Sequence, residues 1–205
     1  MKQRVMSLKS LKEKEFKTLP FEGYWKDAIG CPENNFKALF WGAQKSGKST
    51  LCLRLCDYLA GFGKVAYNSW EEGISQTFRD RVISNNVKNE DKIFLLEKYT
   101  FEEMMDEAFK RRYYKVLVID SIQYMGMTYD QYKRLVDKYP SKIFLFISQA
   151  NGRGKIKGGT DVSHAVDVMF HCIHGNDRVE SRFAEEKTIK IFDKKIVAGD
   201  QLPLL

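Results

Sequence analysis

The octet Gly42-Ala43-Gln44-Lys45-Ser46-Gly47-Lys48-Ser49 constrains this chain more than any other stretch of it. Two glycines separated by four residues and followed by Lys and a hydroxyl residue fit a loop whose backbone N–H groups converge on phosphate oxygens at a helix N-terminus. Such a loop needs a strand before it and a helix after it. KALFWG (37–42) reads as the strand, and STLCLRLCDYLAGF reads as the helix, closed by Gly61 and Gly63. Gly42 and Gly47 permit the tight turn. Ala43, Gln44, Lys45, Ser46 and Thr50 complete the cradle, Lys48 brings a positive charge to the β- and γ-phosphates, and Ser49 offers its hydroxyl to Mg²⁺. The expectation is a bound nucleotide with its metal ion.

Around this loop the chain alternates. KVAYNS (64–69), KIFLLE (92–97), KVLVID (115–120) and KIFLFIS (142–148) read as strands, with helices expected at 74–82, 101–112 and 129–138. Strands that are apolar throughout and separated by helices indicate a mostly parallel, twisted α/β sheet covered on both faces. Two further β-like segments, at 167–175 and 187–197, end the fold as C-terminal antiparallel strands. The 205 residues suffice for one domain of this kind. Residues 1–36 read as a basic lead-in with one short helical turn, 37–198 as the domain, and 199–205 as a tail.

The longest apolar runs are of strand length, so a membrane span is not expected. The N-terminus, MKQRVMSLKSLKEKEF, has no apolar core of the secretory type, which points to the cytoplasm. Cys31, Cys52, Cys56 and Cys172 show no metal-ligand spacing, and Cys52 and Cys56, four apart in an apolar helix, read as buried thiols.

Two carboxylate positions matter for chemistry. Asp120 ends the strand VLVID at the carboxyl edge, where α/β sheets bind ligands, and it suits a Mg²⁺ shell. KVAYNS runs into Trp70-Glu71-Glu72 at the same edge. Glu71 is the candidate base for activating water and Glu72 the second choice; both also suit solvated carboxylates at a helix start. After the strand at 142–148, the segment 149–161 is polar, Gly-rich and basic. The chain as a whole carries a formal net charge of +7, compatible with a polyanionic partner.

Taken in order, GAQKSGKSTLCL, VAYNSWEEG, VLVIDSIQ and FISQ resemble the RecA-like P-loop ATPases. The ATPase core of the RadA/Sms DNA-repair proteins is the nearest match, with the DnaB replicative helicase core next. SHAVDVMFHCIHGND carries the His164 and Asp167 of an H-x-V-D pattern like that of RadA. The likeness spans about residues 37–195, and the lead-in PFEGYWKDAIGCPE resembles compact stand-alone ATPases of phages and prophages.

The resemblance implies ATP as the nucleotide, Glu71 as catalytic base, and Ser148 and Gln149 as sensors of the γ-phosphate. It implies a single-stranded DNA contact through Asn151, Arg153, Lys155 and Lys157, in a homo-oligomeric ring or filament. Lys194 and Lys195 would reach the neighbour's nucleotide, although the KNRFG-like motif of RadA is absent, as are its zinc module and protease-like domain. A different reading is an ATP-dependent switch or scaffold for a protein partner, docking through the basic N-terminus and the aromatic residues Phe21, Tyr24 and Trp25. A small-molecule kinase finds no lid or substrate motif in its favour.

Overall fold

A computed structural model describes residues 5–108, 113–151, 155–157 and 160–190. Two short helices, α1 (Leu8–Lys12) and α2 (Gly23–Ile29), precede β1 (Lys37–Gly42), α3 (Lys48–Leu59), β2 (Lys64–Ser69) and α4 (Gln76–Ser84). Then come β3 (Ile93–Glu97), α5 (Phe101–Glu103) continuing as a π-turn (Met104–Ala108), β4 (Tyr114–Asp120), α6 (Ile122–Met125), α7 (Tyr129–Lys138) and β5 (Ile143–Gln149). The chain continues through α8 (Thr160–Ala165), β6 (Val168–Cys172), β7 (Asn176–Ser181) and β8 (Lys187–Lys190).

The strands form one eight-stranded sheet in the order β3-β2-β4-β5-β1-β6-β7-β8. All pairings from β3 to β6 are parallel, and β6-β7 and β7-β8 are antiparallel. Parallel neighbours need crossovers, and the helices supply them, covering both faces. Because side chains alternate along a strand, each face has its own core. Phe40, Val116, Val118, Leu145 and Ile147 pack with Leu51, Cys52, Leu55, Cys56 and Leu59 of α3 and with Phe78 of α4. Leu39, Leu117, Ile119, Phe144 and Phe146 face Phe101, Met104, Ile122, Tyr132, Leu135 and Val162.

The fold class is the expected one, a mostly parallel α/β sheet with helices on both faces and antiparallel C-terminal strands. Several elements differ from the sequence expectation. The helix expected at 101–112 gives way after Glu103 to the π-turn. Between Asp120 and Thr128 the short α6 was not foreseen. NDRVES, polar by composition, forms β7, with Asp177 and Val179 turned inward and Arg178 outward. The lead-in holds two helices instead of one turn.

Those helices behave differently. Phe21 and Trp25 are buried, with Phe21 meeting the Tyr58 ring edge-on at 5.0 Å and stacking on Phe62 at 5.8 Å. Trp25 meets Phe170 of β6 edge-on at 6.4 Å, and Ser181 Oγ donates to the Ile29 carbonyl at 2.8 Å. The aromatic residues read as a docking surface are therefore core, with only Tyr24 half-buried; the end of α3 and β6 offer apolar surface that α2 covers. In contrast, α1 has no buried residue, and Leu8 and Leu11 are exposed. Among the described residues, no helix is long and apolar enough to cross a membrane.

Candidate functional site at the carboxyl edge of the sheet

β1 delivers its last residue, Gly42, against β6. A Cβ there would lie 2.4 Å from the Cys172 carbonyl oxygen and 2.8 Å from Ser46 Oγ, so only glycine fits. Gly47 caps α3 in the left-handed region, at φ 95°. Between the two glycines Ala43, Gln44 and Lys45 are exposed and Ser46 is buried. Ser49 and Thr50, in the first turn of α3, are half-buried. Lys48 folds back over this loop, and its Nζ donates to the Ala43 carbonyl at 2.6 Å. Burial lowers the Lys48 pKa, while Glu71 and Asp120 are near enough to pull it the other way.

Asp120 lies beneath the loop at 2% exposure. Its Oδ2 accepts a hydrogen bond from the Tyr67 hydroxyl of β2 at 2.7 Å, and its Oδ1 has no partner among the described residues. Burial raises its pKa to about 6, against the hydroxyls of Tyr67 and Ser49, which favour the carboxylate. The Asp120–Ser121 peptide is cis. The Asp120 carbonyl accepts the amides of Trp70 at 2.6 Å and Glu71 at 3.3 Å, which brings the turn after β2 to the end of β4.

In that turn the two glutamates part company. Glu72 is held by Arg81 of α4 in a two-pronged ion pair at 2.5 and 2.7 Å. Burial disfavours the Arg81 charge, but Glu72 outweighs it and the guanidinium pKa rises. Glu71 is exposed and exerts its field on both Lys48 and Asp120.

β5 ends beside β1, with Gln149 paired to Gly42 and Ser148 to Trp41. The strand then turns back on itself: Lys157 N donates to the Gln149 carbonyl at 2.8 Å, Asn151 N donates to the Lys155 carbonyl at 2.6 Å, and Ala150 bridges Ile156 antiparallel. Ile156 packs on the core that holds Phe101, Tyr132 and Phe146, so alternation turns the exposed Lys155 and Lys157 away from it. Asn151 is exposed and its side chain accepts from Lys155 N at 3.0 Å. Arg153, Lys194 and Lys195 lie outside the described residues.

Of the six buried side-chain polar atoms without a partner among the described residues, four lie here: Ser46 Oγ, Asp120 Oδ1, Ser121 Oγ and Gln149 Nε2. Leaving such atoms unpaired is costly, so their gathering at one edge fits a polar ligand that pairs them. An anionic, oxygen-rich ligand suits the loop and Lys48, and a hard cation suits a carboxylate oxygen beside a serine hydroxyl. Sequence reading missed Tyr67, whose phenol looks like core in KVAYNS, and Gln123, whose amide touches both Ser148 and Gln149.

No family model matches the sequence, and no curated protein matches it. Among the solved structures that share its fold are two from archaea. The flagellar accessory protein FlaH from Methanocaldococcus jannaschii superposes at a TM-score of 0.58 and 16% identity, over 86% of this chain and 88% of that one. A KaiC-like protein from Pyrococcus horikoshii superposes at a TM-score of 0.61 and 16% identity, over 87% of this chain and 95% of that one.

Proposed function

We propose that this chain is a Mg²⁺-dependent ATPase of the RecA-like kind, acting on single-stranded DNA as a homo-oligomer in the cytoplasm. The observation that carries the reading is Asp120, a carboxylate at 2% exposure with one oxygen held by Tyr67 and the other without a partner among the described residues, beside the glycine loop at 42–47. A protein keeps such a group where a cation will meet it.

In this reading the N–H groups of residues 42–50 and the Lys48 ammonium hold the β- and γ-phosphates of ATP, and Ser49 and Asp120 hold Mg²⁺. The metal ion supplies charge neutralisation on the phosphate oxygens. Glu71 takes the proton of the water that attacks the γ-phosphorus, as the bond to the ADP oxygen breaks. Glu72, committed to Arg81, is less suited to that task. Ser148 and Gln149 contact the γ-phosphate, with the unpaired Gln149 Nε2 as a donor. Lys48, Glu71 and Gln149 are thus the catalytic groups.

Asn151, Arg153, Lys155 and Lys157 track the DNA backbone, the three cations spaced along a Gly-rich segment without an aromatic platform. Lys194 and Lys195 of an adjacent copy complete the site, and residues 1–16 form a subunit contact. The motif order resembles the RadA/Sms and DnaB cores most, and kinship with compact phage ATPases belongs to the same proposal. The second reading, an ATP-dependent switch for a protein partner, draws support from α1, whose Leu8 and Leu11 are exposed and whose described residues include no buried position.

The test is release of inorganic phosphate from ATP by the full chain, with Mg²⁺ and with EDTA, beside the Lys48→Ala variant. Turnover that requires Mg²⁺, together with loss of tight nucleotide binding in the variant, is expected. Undiminished nucleotide affinity in Lys48→Ala would sink the assignment.

A further inference from the structure

β4 stops pairing with β5 at Asp120 and Ile147, so the last two residues of β5 project beyond their neighbour on that side. The amide of Gln123, on α6 just past the end of β4, takes the missing neighbour's place. Gln149 N donates to Gln123 Oε1 at 3.0 Å, and Gln123 Nε2 donates to Ser148 Oγ at 2.9 Å and to the Lys157 carbonyl. The Lys157 amide closes the ring by donating to the Gln149 carbonyl at 2.8 Å. Both protons of the side-chain amide and its oxygen are thus engaged, which leaves Gln123 few alternative arrangements.

We propose that Gln123 is a positioning residue that couples the nucleotide-facing end of β5 to the returning basic segment at 155–157. The inference rests on the ATPase reading, in which Ser148 and Gln149 meet the γ-phosphate. It adds the route by which that contact reaches Lys155 and Lys157. Ser148 Oγ, fully buried, lies 3.4 Å from the carbonyls of both Gln149 and Lys157, so those two carbonyls compete for its one proton while its oxygen accepts from Gln123. A phosphate oxygen that takes the Ser148 proton leaves the Lys157 carbonyl to Gln123 Nε2 alone, and one that takes the Gln149 backbone N–H releases Gln123 Oε1. The segment's conformation and the nucleotide state are then two readings of one hydrogen-bond ring.

The variant Gln123→Glu tests this. It keeps an oxygen for the Gln149 amide and removes both protons donated to Ser148 and Lys157. Trypsin cuts after Arg153, Lys155 and Lys157, so its rate within 151–157 reports the segment in the full chain, with and without a non-hydrolysable ATP analogue and Mg²⁺. In the parent the analogue should change that rate at least threefold. In Gln123→Glu the analogue should bind within about threefold of parental affinity while the rate no longer responds. A merely structural Gln123 would alter melting temperature and overall cleavage but leave the nucleotide-dependent ratio intact, and that result would overturn the proposal. If the Glu variant does not fold, Gln123→Met, similar in length and without amide protons, should show the same uncoupling, and a retained response there would be equally fatal. A parent chain that binds the analogue with no change in cleavage would overturn this inference alone. A parent chain that binds no analogue would overturn the ATPase reading and this inference together.

Discussion

The Tyr67 hydroxyl donates to Oδ2 of Asp120 across 2.7 Å, joining neighbouring strands beneath the phosphate loop. That bond eases the burial of a carboxylate but does not cancel its cost, for Asp120 still titrates at about 6 instead of its ordinary 3.8. The folded chain therefore binds this proton more readily than the unfolded chain does. The penalty is fully felt above pH 6, shrinks as pH falls through 6, and is gone below about 4. Asp120→Asn removes it, so at pH 7.5 in EDTA this variant should be more stable than the parent by on the order of 3 kcal/mol. The advantage should shrink between pH 7 and 5. Equal urea midpoints at pH 7.5 would contradict this account. Tyr67→Phe, which strands the second oxygen, should cost about 1–3 kcal/mol at the same pH.

Glu71 and Glu72 are adjacent in sequence and separated by function in the proposed site. Glu71→Gln should leave ATP bound and slow turnover by roughly a hundredfold or more. Glu72→Gln should keep most of the turnover and lose about 1–2 kcal/mol of stability, because Arg81 is left without its carboxylate. Steady-state turnover and denaturant melts of both variants decide it; the reverse pattern would move the base to Glu72.

Charge in the basic segment should act on DNA and not on ATP. Neutralising Arg153, Lys155 and Lys157 together should weaken single-stranded DNA binding and flatten its salt dependence by about two to three units of log–log slope, with ATP affinity unchanged. Binding should be nearly indifferent to base sequence, since point charges read phosphates. Absence of DNA binding by the parent at low salt, with or without the ATP analogue, would shift weight to a protein partner.

The strand, glycine turn and helix at residues 37–59 were legible in the sequence because the motif's spacing is itself the geometry: two glycines, a lysine and a serine at fixed offsets admit few other backbones. Asp120 and the strand that carries it were legible for a related reason, a run of apolar residues ending in one charge. Tyr67 was not, because a phenol inside an apolar strand looks like packing until its partner on the next strand is known. Gln123 was hidden in a four-residue helix too short to show a period. β7 escaped because alternation with acidic and basic residues on its open face resembles a loop, although Asp177 and Val179 point inward.

The lead-in also turned on a long-range fact. An aromatic cluster before the first strand could equally serve a partner or the fold, and only Tyr58, Phe62 and Phe170 settle that it serves the fold. Trp25→Ala should thus cost about 3–5 kcal/mol in a denaturant melt. Leu8→Ala and Leu11→Ala, on a helix that buries nothing, should leave the melt of the dilute chain within about 0.5 kcal/mol of the parent.

The parallel strands end in two ranks. Ser69 stands opposite Asp120, Asp120 opposite Ile147, and Gly42 opposite Gln149 two residues further along. Removing one residue from any of these strands would draw its end back by about 3.3 Å and exchange its two faces. In β4 the place of Asp120 would pass to Ser121, whose side chain belongs to the other side of the sheet. The carboxyl edge therefore measures length more strictly than it measures identity. Apolar-for-apolar substitutions within β1, β4 and β5 would leave every polar group where it stands, whereas an insertion or deletion inside one of them would displace those groups. Descendants of such a chain can drift far in sequence while their strands keep the same count.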